Sequence, residues 1–122
     1  MRLVLDSDPR INLVRRYGDG VIVIGEAALA RPCIVMAQQL LPDWDASAID
    51  QLTAAQIEPL LALKVNIVLL GAGETHTLAP APVRAVFRTH GIALECMSLG
   101  AACRTYNILA NEERSVAAGL FP

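Results

Sequence analysis

Two glycines one residue apart, followed at once by an acid and a histidine, form the first stretch of this sequence with chemical potential: Gly71-Ala72-Gly73-Glu74-Thr75-His76. Gly71 and Gly73 let a backbone turn sharply and expose N–H groups, an arrangement that can hold an anion. Glu74 and His76 are the acid–base candidates beside them, since a histidine can shuttle protons near neutral pH. Further along, Arg104 has the fork that pairs with an anion or a partner's carboxylate. Tyr106 and Asn107 carry groups that can bind the backbone of nearby loops. These seven residues make up one candidate crevice. A tight strand-exit turn accounts for the two glycines without any ligand. Gly-x-Gly alone also lacks the third glycine and the immediate helix of a dinucleotide site.

Other chemistries find less support. No nucleophile with a defined base and an orienting partner is visible, so a hydrolase triad is not indicated and no catalytic residue is assigned. Cys33, Cys96 and Cys103 are odd in number and form no CxxC pair, which fits buried thiols in a reducing compartment. A metal site needs three or four ligands, and His76 with Cys96 or Cys103 has no such spacing. Neither a metal nor a cofactor is expected. His90 falls at a helix end, where a cation is favoured.

The elements that must position the candidates follow from the apolar pattern. Val65 to Leu70 is a nearly continuous apolar run, the signature of a strand covered on both faces in a central parallel sheet. Pro80 and Pro82 suit the entry of a helix and Gly91 its stop. Residues 92–96 are the next buried strand, and Ser98–Asn111 reads as a third helix. Strand, helix, strand, helix implies a right-handed βαβ crossover. Ligands in such sheets sit at the carboxyl ends of the strands, so the exits at 71–76 and 97–101 should meet. Around the third helix, Ala101, Ala102, Thr105, Ile108 and Leu109 share one face, and Arg104, Asn107, Asn111 and Arg114 share the opposite, solvated stripe.

The first third reads as β. Strands are expected at 11–15, 21–24 and 32–36, with a tight hairpin turn at Asp19-Gly20 between the first two. Residues 42–52 form a loop that Trp44 plugs onto the core. Thr53 and Gln56 resemble a capping box that opens a short helix, which Pro59 distorts unless it lies in the first turn. Residues 116–120 are either a final edge strand or a short helix. The fold class is therefore α/β: one small layered domain over residues 1–122, with a mixed, partly parallel sheet, a C-terminal βαβ crossover and an N-terminal β-hairpin.

Composition narrows the function. The chain has 122 residues, 54% hydrophobic and 18% charged, with a formal net charge of −2. A low charged fraction leaves apolar surface for contacts, a homodimer included. Arg15–Arg16 is too short for a basic stripe, so nucleic acid is not an expected partner. Asp6 and Asp8 interrupt the apolar start before a secretory core can form, and no run is long enough for a membrane span. The expected location is cytoplasmic.

The run Ala101-Ala102-Cys103-Arg104-Thr105-Tyr106-Asn107-Ile108-Leu109, followed by Glu113-Arg114, resembles the C-terminal hallmark of the Mth-domain family. That family includes the adipogenesis-associated Mth-domain protein and the mitochondrial complex I assembly factor three. Gly71, Gly73 and Gly91-Ile92 fit the same pattern. The resemblance implies a layered α/β fold with a mixed sheet and an added β element, no established enzymatic activity, and a role as an assembly or regulatory partner of other proteins. A bacterial member is the natural inference. A small-molecule or anion-binding protein using the crevice is the alternative.

Overall fold

Period-two alternation organises the chain. The structure, a computed structural model, describes residues 10–122; the targeting-relevant residues Met1 to Asp8 lie outside them. Five strands form the main sheet: β4 (Cys33–Met36), β5 (Gln39–Leu41), β6 (Ile67–Ala72), β7 (Ala93–Met97) and β8 (Val116–Phe121), in the order β5-β4-β8-β6-β7. β6 runs parallel to both β7 and β8, while β4 is antiparallel to β8 and to β5. The sheet is mixed and partly parallel, as expected.

Successive side chains point to opposite faces of a strand, and both faces of the central strands β4, β8 and β6 are buried. Ile34, Val68, Leu70, Ala117 and Phe121 face one core with Trp44, Ile49, Ile57, Leu60, Val83 and Phe87. Those partners come from the 42–57 segment, α1 (Glu58–Ala62) and α2 (Ala81–Thr89). Cys33, Val35, Leu69, Ala118 and Leu120 face a second core against α3 (Leu99–Asn111). That core also takes Leu13, and Val14, Ile22 and Ile24 from a separate three-stranded antiparallel sheet, β1 (Val14–Gly18), β2 (Val21–Ile24) and β3 (Ala27–Leu29).

Local chemistry explains the boundaries. Asp19 and Gly20 have φ of 53° and 77°, the two positive values that a two-residue hairpin turn between β1 and β2 demands. The capping box forms in both directions: Thr53 N–H donates to the Gln56 side chain at 3.1 Å, and Gln56 N–H to the Thr53 hydroxyl at 3.3 Å. It opens a turn rather than the helix itself, because α1 begins at Glu58 with Pro59 in its first turn, where the missing N–H is harmless. Trp44 is buried, donates from Nε1 to the Gln56 carbonyl at 2.8 Å, and packs on Phe121 with ring centroids 5.2 Å apart.

Four expectations need correction. β1 starts at Val14, not at residue 11, because Asn12 is tied to the Ala37 carbonyl and the Met36 carbonyl instead of to β2. β3 and β5 both lie outside the expected strands at 11–15, 21–24 and 32–36, so the expected N-terminal hairpin is a three-stranded sheet. β8 is a strand, and it lies in the middle of the sheet, not at its edge, with every residue buried. On α3 the faces are shifted: Asn107 is buried and Ile108 is 51% exposed, because the helix packs against both the main sheet and the β1 segment.

Candidate functional site

The carboxyl ends of β6 and β7 do meet. The two strands are parallel neighbours with Gly71 opposite Met97, and Leu99 N–H donates to the Gly73 carbonyl at 2.9 Å. The space between the exits is filled by α3. A Cβ added at Gly71 would run into the Ala102 Cβ and would lie 3.3 Å from both the Leu99 Cα and the Ser98 carbonyl oxygen. Gly71 therefore permits contact between a strand exit and a helix start. Gly73 serves a different need, with φ of +61° and open space around it.

The seven candidate residues separate into four places. Gly71 and Gly73 sit at the closed strand exits, with Glu74 exposed just beyond. Tyr106 and Asn107 are buried on the inner side of α3 and hold the segment entering β1. The Tyr106 hydroxyl donates to the Asn12 carbonyl at 2.7 Å, and Asn107 bonds both backbone groups of Val14. Burial raises the Tyr106 phenol above its ordinary value. Arg104 is exposed and donates from an Nη to the Tyr17 hydroxyl at 2.9 Å, fastening β1 to α3 from outside. His76 alone of the seven lines an open groove.

That groove, about 600 Å³, lies between α2 and β7. Its lining takes Gly91 through Cys96 without a gap, and its other wall is His76, Leu78, Arg84 and Arg88. Side chains alternate along a strand, so a groove lined by six consecutive residues runs along the backbone edge and not over one face. β7 is the last strand in the sheet order, with β6 as its sole partner among the described residues. Ala93 N–H donates to the Asn66 carbonyl at 2.9 Å, toward β6. By the alternation of a parallel ladder, the Leu94 backbone groups face outward. Leu78 is 53% exposed beside this edge. Arg84 is anchored by its Nε, which donates to the Ala79 carbonyl at 3.0 Å. Sequence reasoning missed Arg84, Arg88 and Leu94. The four-residue spacing of the two arginines was the available signal, but which strand ends the sheet is a property of topology.

The thiols are not arranged for reaction. Cys33 and Cys103 are buried and pushed up to about 12 by desolvation. Cys96 is raised by burial against a partly offsetting backbone hydrogen bond from Ala79. Among the described residues no group of three or more His, Cys, Asp or Glu side chains is placed to hold a metal.

Residues 14–121 match the family described as a protein of unknown function, DUF498/DUF598. The chain belongs to this family. Among relatives of this DUF498 chain, a Francisella tularensis protein called the 13 kDa major membrane protein is 29% identical, with 84% of each chain covered. The bovine NADH dehydrogenase [ubiquinone] 1 alpha subcomplex assembly factor 3 is 28% identical; the match covers 98% of this chain and 66% of that protein, just under two thirds of its length. A Bordetella pertussis solution structure described as a Mth938-like domain superposes with a TM-score of 0.79 at 26% identity, covering 100% of this chain and 92% of that one. The expected Mth-like fold is thereby established. No helix among the described residues is long and apolar enough to cross a membrane.

Proposed function

We propose that this DUF498 chain is a non-enzymatic binding module of the assembly type, and that it takes an extended segment of a partner protein along the open edge of β7. The observation that carries this reading is the groove lined by Gly91 to Cys96 in unbroken succession. An unpaired strand edge offers a row of backbone donors and acceptors, and an added strand satisfies them while adjacent pockets select side chains. Assembly factor 3, named for its action on NADH dehydrogenase, supports a partner-binding role for a chain of this fold. The three buried, unpaired thiols suit a reducing, cytoplasmic setting.

Peptide display tests the proposal. A random extended-peptide library panned against the chain should yield binders that shift the amide resonances of residues 91–96. The same binders should lose affinity for a Leu94→Pro variant, which removes an outward N–H and leaves the ladder to β6 intact. Binders whose resonance shifts fall elsewhere, or whose affinity survives Leu94→Pro in a folded variant, would overturn it.

A further inference from the structure

Charge collects on the outer wall of the β7 groove. α2 presents Arg84 and Arg88 four residues apart, a spacing that places two side chains on one helix face. The groove's lining contains one acid, Glu95, so two guanidinium groups against one carboxylate leave a surplus of one positive charge, on a chain whose formal net charge is −2. Among the described residues neither arginine is paired with a carboxylate. Arg84 is half-buried and held by its Nε bond to Ala79, which leaves its Nη donors available in a fixed place.

The spacing of the pair has a counterpart in an extended chain. Four residues of helix rise ~6 Å, and two residues of strand rise ~6.7 Å. α2 runs back alongside β7 as the crossover between β6 and β7. A strand laid on the β7 edge would therefore bring alternate side chains past Arg84 and Arg88 in turn. We infer that the partner segment is acidic, with carboxylates two residues apart that meet Arg84 and Arg88. This inference rests on the proposed docking along β7. Guanidinium groups favour carboxylates through paired, charge-assisted hydrogen bonds, and the complementarity fixes the register of the added strand as well as its affinity.

Fluorescence anisotropy with three labelled ten-residue peptides decides the matter. One alternates valine with glutamate, one valine with lysine, and one valine with serine. The glutamate peptide should bind best, although repulsion from the net charge of the chain as a whole acts against it. Arg88→Glu, at an exposed position, and Arg84→Glu with Arg88→Glu should each weaken it, the pair by at least about tenfold, and move preference toward the lysine peptide. Salt should weaken the glutamate peptide most. Equal binding of the glutamate and serine peptides, lost in Leu94→Pro, would sink the acidic partner and leave edge docking in place. Binding of none of the three at about 1 mM would remove both.

Discussion

The side-chain amide of Asn107 and the backbone of Val14 form a closed pair of hydrogen bonds: Val14 N–H donates to Oδ1 at 2.9 Å, and Nδ2 donates to the Val14 carbonyl at 2.7 Å. This is the pattern a neighbouring strand would supply. α3 thus satisfies the first residue of β1 in place of a further strand, just where the register to β2 shifts between Val14 and Arg16. Asn107 is the one buried polar residue among those described, and Val14 is 1% exposed. Replacing the amide by Asn107→Ala leaves two buried backbone groups unpaired, at ~1–3 kcal/mol each. We expect a loss of about 2–5 kcal/mol in urea unfolding. Asn107→Asp should rescue little, because a carboxylate accepts from Val14 N–H but repels its carbonyl.

One residue earlier on α3, the Tyr106 hydroxyl holds the Asn12 carbonyl at 2.7 Å. Tyr106→Phe keeps the buried ring and removes that bond alone, so its expected cost is ~1 kcal/mol. Tyr106→Ala also empties a fully buried site and should cost ~3–5 kcal/mol. The two side chains brace the same short segment. In a double-mutant cycle by urea unfolding, Tyr106→Phe and Asn107→Ala should therefore be non-additive.

These braces also explain what the sequence could and could not disclose. The apolar runs at 65–70 and 92–96 located β6 and β7 to within a few residues, and Asp19-Gly20 and Thr53/Gln56 announced their turn and cap. The second run reads as a buried strand, but β7 is the sheet's edge, with Ala93 and Glu95 exposed. β8 was ambiguous because Ala117, Ala118 and Gly119 have little strand preference. Gly119 is small because Trp44 and Leu70 press close: a Cβ there would lie 2.7 Å from the indole and 2.8 Å from a Leu70 methyl. β5 follows a turn at Ala37-Gln38 that carries none of the residues typical of tight hairpins. Helical spacing put Asn107 on a solvated stripe while its amide also suited the backbone of a nearby segment, and its two bonds to Val14 follow the second reading. The segment that carries the family resemblance is largely core, with Ala102, Cys103, Tyr106 and Asn107 all buried. The seven candidates thus pointed mainly to how α3 is locked in place. The β7 groove depends on which strand ends the sheet, and no local pattern specifies that.

Gly71 and Gly73 give opposite answers to one substitution. At Gly71 an added methyl meets Ala102 together with the backbone of Leu99 and Ser98, so Gly71→Ala must push α3 off the sheet, at ~1–3 kcal/mol. At Gly73 there is room, but φ of +61° disfavours any L side chain, at ~1–2 kcal/mol. Asparagine tolerates that conformation better than alanine. Thermal unfolding should accordingly show Gly73→Asn recovering part of the loss in Gly73→Ala, and Gly71→Asn faring worse than Gly71→Ala. Equal behaviour at the two positions would contradict the close approach of Leu99 and Ala102.

Alkaline pH should unfold this chain through its buried acids. Cys33 and Cys103 are raised from an ordinary 9.0 to about 12 by desolvation, and the Tyr106 phenol is raised by the same cause. Between those limits the unfolded chain has released protons that the folded chain retains, so stability falls as pH rises. The stability is fully present below about pH 9, where both states hold their protons, and drains away toward about 12. Urea midpoints measured from pH 7 upward should be flat at first and then decline. Cys103→Ala should make the decline shallower by one proton's worth of slope. The native thiols of Cys33 and Cys103 should also resist a disulfide reagent until urea is added, since reaction requires a thiolate exposed to solvent. Rapid labelling of either in the folded chain at neutral pH would mean that the core around α3 opens far more readily than its packing allows.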